Sequence, residues 1–283
     1  MRGRERRVLM PDLTLSPQLF AIFAHLIEET CGLHYSVQDR ELLGSKLASH
    51  AQEAGYQTLL DYYYLLRYDD PEGVERRALI QNLLVHETYF FRELLALEQL
   101  VDRHIVPVVK TRGRARVWSA ACATGEEPLT LAMLLDDRGV LDKVELLGTD
   151  LSEAAILRAR ANKFGRRALR DGHPTHLASK YLEVIGPSFK ILPRLLETVR
   201  FRTLNLLDDA AIGALGAFDA IVCRNVLIYF RDTHVVGVIE RLARALVPDG
   251  WLAVGVSESL LRFGTSLACE EHGGAFFYHR RSA

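Results

Sequence analysis

Cysteine is sparse in this 283-residue chain, and its four copies (Cys31, Cys122, Cys223 and Cys269) stand far apart with no Cys-x-x-Cys pair. That spacing excludes a disulfide frame and a cysteine zinc site, so the four read as reduced thiols of a cytoplasmic protein. No apolar run approaches the roughly 18 residues that a membrane span needs, so no insertion into a membrane is expected. The first ten residues carry Arg2, Arg4, Arg6 and Arg7, with no apolar stretch and cleavage site after them. They read as a solvated tip and not as a signal peptide. Net charge is only −1, from 35 Lys/Arg and 36 Asp/Glu, which argues against a dedicated nucleic-acid binder. Internal repeats and low-complexity segments are absent too. What is present, 49% hydrophobic and 25% charged residues, suits one large or two modest globular domains with full cores.

The front of the chain reads as helical. Ser16-Pro17 is a cap followed by a first-turn proline. Leu19, Phe20, Ile22, Phe23, Leu26 and Ile27 then recur at helical spacing, and Gly32 stands where a stop belongs. Further helices are expected over 39–54, 58–67 and 73–85, together a small bundle. This segment is acidic: residues 12–85 hold five Lys/Arg against eleven Asp/Glu, a net −6. From about Glu93 the pattern changes. A helix to Val109 leads into strands near 116–120, 144–149, 199–204, 218–223 and 251–256. Helices near 128–137, 153–161 and 233–246 lie between several of them. Such alternation implies a parallel sheet with helices on both faces. Residues 268–280 are expected to return as a strand antiparallel to the Trp251 strand. The stretch 163–200 breaks the alternation and holds Gly172, Pro174, Gly186, Pro187 and Pro193. It is expected to contain a helix around 175–182 and a small β excursion around 189–201.

The run Val117-Trp-Ser-Ala-Ala-Cys-Ala-Thr-Gly-Glu-Glu-Pro128 is a strand–turn–helix corner, where α/β proteins place ligands. Its single glycine makes it a poor diphosphate cradle, and its two acids favour a ligand with positive charge. Glu126 and Glu127 either serve the helix dipole or meet an ammonium group. Asp150 ends the next strand, where an acid can hold ribose hydroxyls, and Ser152 already suits the cap of the following helix. Asn205 and Asn225 follow two further strands. Each could be a turn residue or the donor–acceptor pair that an adenine edge requires. Arg92, in the segment 82–93, could pair with a carboxylate of the core or of a substrate. His173 and His176 have metal-like spacing but no third ligand nearby, and Cys223 has no evident base beside it, so neither a metal site nor a cysteine nucleophile is expected.

Several of these stretches together resemble one family. His86-Glu-Thr-Tyr-Phe-Phe-Arg-Glu93 is similar to its signature Asn-Glu-Thr-x-Phe-Phe-Arg-Glu, and the 117–128 corner to its Trp-Ser-Ala-Ala-Cys-Ser-Thr-Gly-Glu-Glu-Pro loop. Gly148-Thr-Asp150-Leu-Ser, Phe218-Asp-Ala-Ile-Val-Cys-Arg-Asn-Val-Leu-Ile-Tyr-Phe230, Val247-Pro-Asp-Gly250 and Val256-Ser-Glu-Ser259 follow in the family's order. The family is the bacterial chemotaxis receptor methyltransferases, the CheR group. The resemblance implies an α/β fold: a Rossmann-like class I methyltransferase sheet with an antiparallel final strand and a small inserted β subdomain, preceded by an all-α domain. Residues 1–88 would form that helical domain and 89–283 the methyltransferase domain, with the β subdomain inserted at about 180–201. The cofactor would be S-adenosylmethionine, released as S-adenosylhomocysteine, and the acceptor a glutamate of a chemoreceptor-like protein. By position, Glu127 would hold the methionyl ammonium and Asp150 the ribose. Asn205-Leu206 and Asn225-Val226 would surround the adenine, His86, Thr88 and Arg92 would line the cofactor, and Arg92 and Tyr229 would stand at the reacting centre.

The chain also departs from the family. His86 replaces an asparagine, and its charge could follow pH. The second helix offers Arg40, Lys46 and His50 where relatives present an arginine-rich face, and the acidic front weakens docking to an acidic partner. The β insertion is short beside members that grip a receptor's carboxyl-terminal peptide, so no such tether is expected. A monomer is expected.

Overall fold

The computed structural model describes residues 13–280. The arginines of the basic tip, Arg2 to Arg7, lie outside the described residues. The chain divides into two compact units, Met1–Leu84 and Val85–Ala283.

In the first unit, helix α1 spans Pro17–Cys31. Ser16 Oγ accepts the Leu19 N–H at 3.2 Å, Pro17 opens the first turn, and Gly32 ends the helix. Its buried face is Phe20, Phe23, Leu26, Ile27 and Cys31. Helices α2 (Arg40–Glu53), α3 (Leu59–Tyr64, continued by a wider turn to Asp69) and α4 (Val74–Leu83) complete the bundle. Tyr62 is fully buried in it, and its hydroxyl donates to Glu75 Oε1 at 2.9 Å, so the buried ring keeps its polar end satisfied.

The second unit opens with α5 (Leu94–Leu100) and α6 (Val106–Arg112), then alternates β1 (Ala115–Ala120), α7 (Glu126–Asp137), β2 (Val144–Asp150) and α8 (Glu153–Ala161). An insertion follows: β3 (Phe164–Gly165), α9 (Thr175–Tyr181), β4 (Leu182–Ile185), β5 (Ser188–Ile191) and the short α10 (Pro193–Leu196). The chain then resumes with β6 (Val199–Thr203), α11 (Asp209–Gly213), β7 (Phe218–Cys223), α12 (Asp232–Arg244), β8 (Leu246–Val254), β9 (Ala268–His272) and β10 (Ala275–His279). The main sheet has the order β6-β2-β1-β7-β8-β10-β9. Its first five strands are parallel, and β10 runs antiparallel to β8. Successive strands step outward from β1 on one side and from β7 on the other. The order therefore reverses between those two, which opens a crevice at their carboxyl ends.

Strand alternation splits the core into two layers. Val117 and Val222 face a layer with Leu129, Met133 and Phe201, while Trp118 and Ile221 face one with Val238, Ile239 and Leu242 of α12. Trp118 is fully buried, and its indole N–H donates to Thr149 Oγ1 at 2.9 Å.

Two expectations need correction. Residues 268–280 are not one strand but the hairpin β9–β10, because Gly273 and Gly274 both take positive φ (60° and 80°) and turn the chain between them. The small sheet is not confined to about 180–201. It has the order β3-β5-β4, so it recruits Phe164–Gly165 upstream and ends at Ile191. Pro193 then starts a helical turn, and Val199 already belongs to the main sheet.

Candidate functional site

The corner after β1 is built by backbone strain and closed by Asp150. Ala121 and Ala123 both hold left-handed conformations (φ 62° and 47°), as do Phe91, Glu93 and Asn225 nearby. These are five of the seven non-glycine residues with positive φ among the described residues. Each costs roughly 1–3 kcal/mol and persists only where its surroundings enforce it, which marks functional sites. Here the Cys122 N–H donates to the Thr149 carbonyl oxygen and the Ala123 N–H to Asp150 Oδ2, both at 2.8 Å. The Ser152 N–H donates to Asp150 Oδ1, and Ser152 Oγ caps α8 by accepting the Ala155 N–H, so Asp150 is free of the cap role. Gly125 has no substitute: its φ is 93°, and a Cβ there would lie 2.8 Å from Ala159 Cβ.

Glu127 leaves the corner to join a buried charge cluster. Ser119 Oγ donates to its Oε1 at 2.7 Å and Arg224 Nη1 to its Oε2 at 3.1 Å. Burial raises the Glu127 carboxyl above the usual range, against the pull of Arg224 and Ser119. Arg224 is the hub. Its side chain is 1% exposed, its Nη2 lies 3.0 Å from Glu93 Oε2, and the same nitrogen donates to the Arg92 carbonyl oxygen at 2.7 Å. Two carboxylates, Glu93 and Glu127, thus share one guanidinium, a net charge of −1. Glu126 is turned away, accepting from Thr124 Oγ1 at 2.7 Å, and burial raises its carboxyl as well.

Arg92 lies half-buried on the segment before α5, with Nη1 donating to the Glu87 carbonyl oxygen at 2.9 Å. Phe91 N–H donates to Thr130 Oγ1 of α7 at 3.1 Å, which fixes the segment against the corner helix. Thr88 is half-buried on the same segment. His86 lies near Asp150: burial lowers its basicity, opposed by that carboxylate and reinforced by Arg158. Its protonated form is therefore disfavoured relative to a free imidazole. Its Nε2 is buried without a partner among the described residues. Burial in turn raises Asp150, countered by its backbone donors and His86.

Asn205 Oδ1 accepts the Leu207 N–H at 3.0 Å, and the Leu204 N–H donates to the Asp150 carbonyl oxygen at 2.9 Å, which joins the β6 and β2 ends. Leu206 is buried beneath. Asn225 Nδ2 donates to Glu93 Oε1 at 3.3 Å, and its own N–H donates to Glu258 Oε2 at 2.6 Å. Val226 and Tyr229 are half-buried in the turn that follows. The structure therefore gathers Glu127, Arg92, Asn225, Asp150, His86 and Asn205 at four adjacent strand ends. Tyr229 is on the same loop as Asn225, yet no hydrogen bond joins it to Arg92 among the described residues. Cys223 is fully buried and its thiol is pushed up, so it is inert, and His173 Nδ1 lies 2.8 Å from the Arg170 carbonyl oxygen. No group of three or more metal-binding side chains occurs among the described residues.

Sequence reasoning missed Arg224, Glu93 and Glu258. Buried Glu258 accepts N–H bonds from Asn225, Gly255 and Ile228 at 2.6, 2.9 and 3.2 Å and so shapes the β7 loop. Their only sequence signal was membership in the His86–Glu93, Cys223-Arg-Asn225 and Val256-Ser-Glu258 blocks.

Comparison with known proteins identifies the domain that carries this polar set. Residues 86–272 match the CheR methyltransferase SAM-binding domain, and residues 18–84 match the CheR methyltransferase all-alpha domain. Chemotaxis protein methyltransferase 1 of Pseudomonas aeruginosa is 32% identical over 250 residues, covering 85% of this chain and 90% of its own. Chemotaxis protein methyltransferase 2 of Vibrio cholerae is 30% identical, covering 90% of each chain. The probable biofilm formation methyltransferase WspC of Pseudomonas putida is 32% identical over 84% of this chain and 56% of its own. Among solved structures, the plantazolicin methyltransferase BpumL in complex with SAH covers 77% of this chain and 61% of that one at 13% identity, but its TM-score of 0.36 makes it too distant to build on. From the two domain matches and these relatives, the chain belongs to the CheR methyltransferase family, and the unit that carries this site is its S-adenosylmethionine-binding domain.

Proposed function

We propose that this protein transfers the methyl group of S-adenosylmethionine to glutamate side chains of a chemoreceptor-like protein. The observation that supports it most is the charge of the buried cluster: Glu93 and Glu127 against Arg224 leave one negative charge unanswered, with Arg92 beside it. A methionyl group brings an ammonium and a carboxylate, which complement Glu127 and Arg92. Thr88 lines the same end. Asp150 would hold the ribose hydroxyls, and the unpartnered Nε2 of His86 is available to the same sugar. Asn205-Leu206 and Asn225-Val226 would flank the adenine.

Bound S-adenosylmethionine supplies a methyl already activated by its sulfonium. A glutamate acceptor is ionised near pH 7, so the protein has no proton to remove and needs no general base. Its task is alignment and exclusion of water. Arg92 and Tyr229 are the residues assigned to position the reacting groups. Arg224, which holds the Arg92 carbonyl oxygen and Glu127 together, keeps the two methionyl contacts in register.

Transfer of radiolabelled methyl to a chemoreceptor cytoplasmic fragment tests the reading. The product should be base-labile, as a methyl ester is. Base-stable label would indicate another acceptor group, and cofactor binding without turnover would indicate a regulator. The relative named for biofilm formation is as similar to this chain, at 32%, as the chemotaxis relative. That supports a second reading in which the acceptor serves biofilm formation, and label incorporation into receptors of the two kinds separates them.

A further inference from the structure

Charge in the second unit is as uneven as in the first, with opposite sign. Residues 158–202 hold eleven Lys/Arg against three Asp/Glu, a net +8 in a chain whose total is −1. Five of these cations, Arg158, Lys163, Arg166, Arg167 and Lys190, are exposed and have no side-chain hydrogen bond or ion pair among the described residues.

The fold holds them in place. Asn162 Nδ2 donates to the Ile191 carbonyl oxygen at 2.9 Å, and the Ile191 N–H donates to Asn162 Oδ1 at 2.8 Å. Phe164 pairs with Phe189, and Lys163 and Lys190 are the residues next to that pair, Lys190 lying across from Glu183 of β4 on its other side. Phe164 is buried and Phe189 half-buried, while Lys163 and Lys190 are both exposed. Arg166 and Arg167 lie in a turn whose Ala168 carbonyl oxygen accepts the Phe90 N–H at 2.8 Å, two residues from Arg92. Arg170 extends the face, pairing with Glu87 at 2.6 Å and stacking 3.8 Å over the Tyr89 ring. Arg158 is close enough to His86 to oppose its protonation. The basic face therefore starts at the rim of the cofactor crevice and runs out over the small sheet.

We infer that this face docks an acidic helical surface of the methyl-accepting protein. The inference rests on the proposed function, since a segment that offers glutamates for methylation presents further carboxylates around the one in the crevice. Residues 13–84 hold five Lys/Arg against ten Asp/Glu, a net −5 that would repel such a partner. Electrostatic selection therefore falls to the insertion and not to the helical unit.

The test uses the full-length protein, loaded with S-adenosylhomocysteine for binding and with radiolabelled S-adenosylmethionine for turnover. The probe is a soluble chemoreceptor cytoplasmic coiled-coil fragment from the same genome. Variants are R166E/R167E and K163E/K190E, with R40E on α2 as the comparison. Each double reversal should raise the fragment's Kd and KM about tenfold at 50 mM NaCl and less than about threefold at 300 mM, where screening shortens to within about 6 Å. The kcat, the S-adenosylhomocysteine affinity and the R40E Kd should each stay within about twofold of wild type. Should a reversal fail to fold, R166A/R167A replaces it, with about threefold expected. Unchanged Kd in the folded variants overturns the inference. So does tighter binding of duplex DNA than of the fragment, or a salt-sensitive dimer that occupies this face in sedimentation. Binding that depends on the face but without base-labile methylation keeps the docking surface and refutes the glutamate reading. Turnover indifferent to the reversals does the opposite. A wild-type protein that neither binds nor methylates the fragment refutes both.

Discussion

Replacing Glu127 by Gln should weaken the cofactor complex while leaving the free protein as stable as before, or more so. Glu127 has a raised folded-state pKa because burial outweighs Arg224 and Ser119. The fold therefore favours its protonated form, and the ionised carboxylate at pH 7 is a penalty on the free protein. Gln resembles the protonated form: its amide oxygen still accepts from Arg224 Nη1, its NH2 donates to Ser119 Oγ, and Arg224 stays paired with Glu93 and the Arg92 carbonyl oxygen. The ligand's ammonium, however, loses a charge-assisted partner worth about 1.5–3 kcal/mol, which weakens binding roughly 10- to 100-fold. At a cofactor-product concentration 100 times the wild-type Kd, wild type gains about 2.7 kcal/mol, but a variant bound 100-fold more weakly gains only about 0.4. At about 2–4 °C per kcal/mol, the ligand-induced rise in Tm should fall from about 5–11 °C to about 1–2 °C. Calorimetry with S-adenosylhomocysteine and melting curves with and without it provide the check. A variant that binds at full affinity, or whose ligand-free Tm drops by several degrees, refutes the assignment of Glu127 to the ammonium.

Other predictions follow from the same geometry. Arg92→Ala should abolish methyl transfer without unfolding, since the side chain is half-buried and its single hydrogen bond goes to the Glu87 carbonyl oxygen; full activity by radiolabel assay would sink the assignment. Gly125→Ala should destabilise by about 2 kcal/mol or more in urea unfolding, because a positive φ and a 2.8 Å approach to Ala159 combine. His104 stacks on Trp251 with ring centroids 3.6 Å apart, and burial chiefly, aided by His272, Arg103 and His279, pushes its pKa down to about 4. Its neutral form is the folded one, so stability should be full above about pH 6.5 and decline as pH falls towards 4, by at most about 3 kcal/mol. Trp fluorescence in urea across that range should show the slope, and His104→Phe should flatten it.

Several features were legible because their causes are local. The Ser16 and Ser152 caps, the Gly32 stop and the alternation of strand and helix depend on residues a few positions apart. Asp150, Asn205 and Asn225 could be placed at strand ends once the strands were recognised, and the topology brought those ends together. The glycine pair 273–274 was visible as well, yet whether it bends a strand or starts a hairpin depends on the partner that β10 finds in β8. The lowered basicity of His86 was not legible, because it comes from burial, and the carboxylate that opposes it, Asp150, is 64 positions away.

By itself the sequence determined the periodicities, the caps, the small residues of the corner and the family resemblance, all of which are written in neighbouring positions or contiguous blocks. Only the tertiary structure decided that Arg224 unites Glu93, Glu127 and the Arg92 carbonyl oxygen, partners 131, 97 and 132 positions away. It also decided that Glu258 gathers three N–H groups from two loops, and that Phe164 and Phe189 pair in the small sheet. Burial and pairing of charge depend on distance in space, and the chain has to close its sheet before those distances exist.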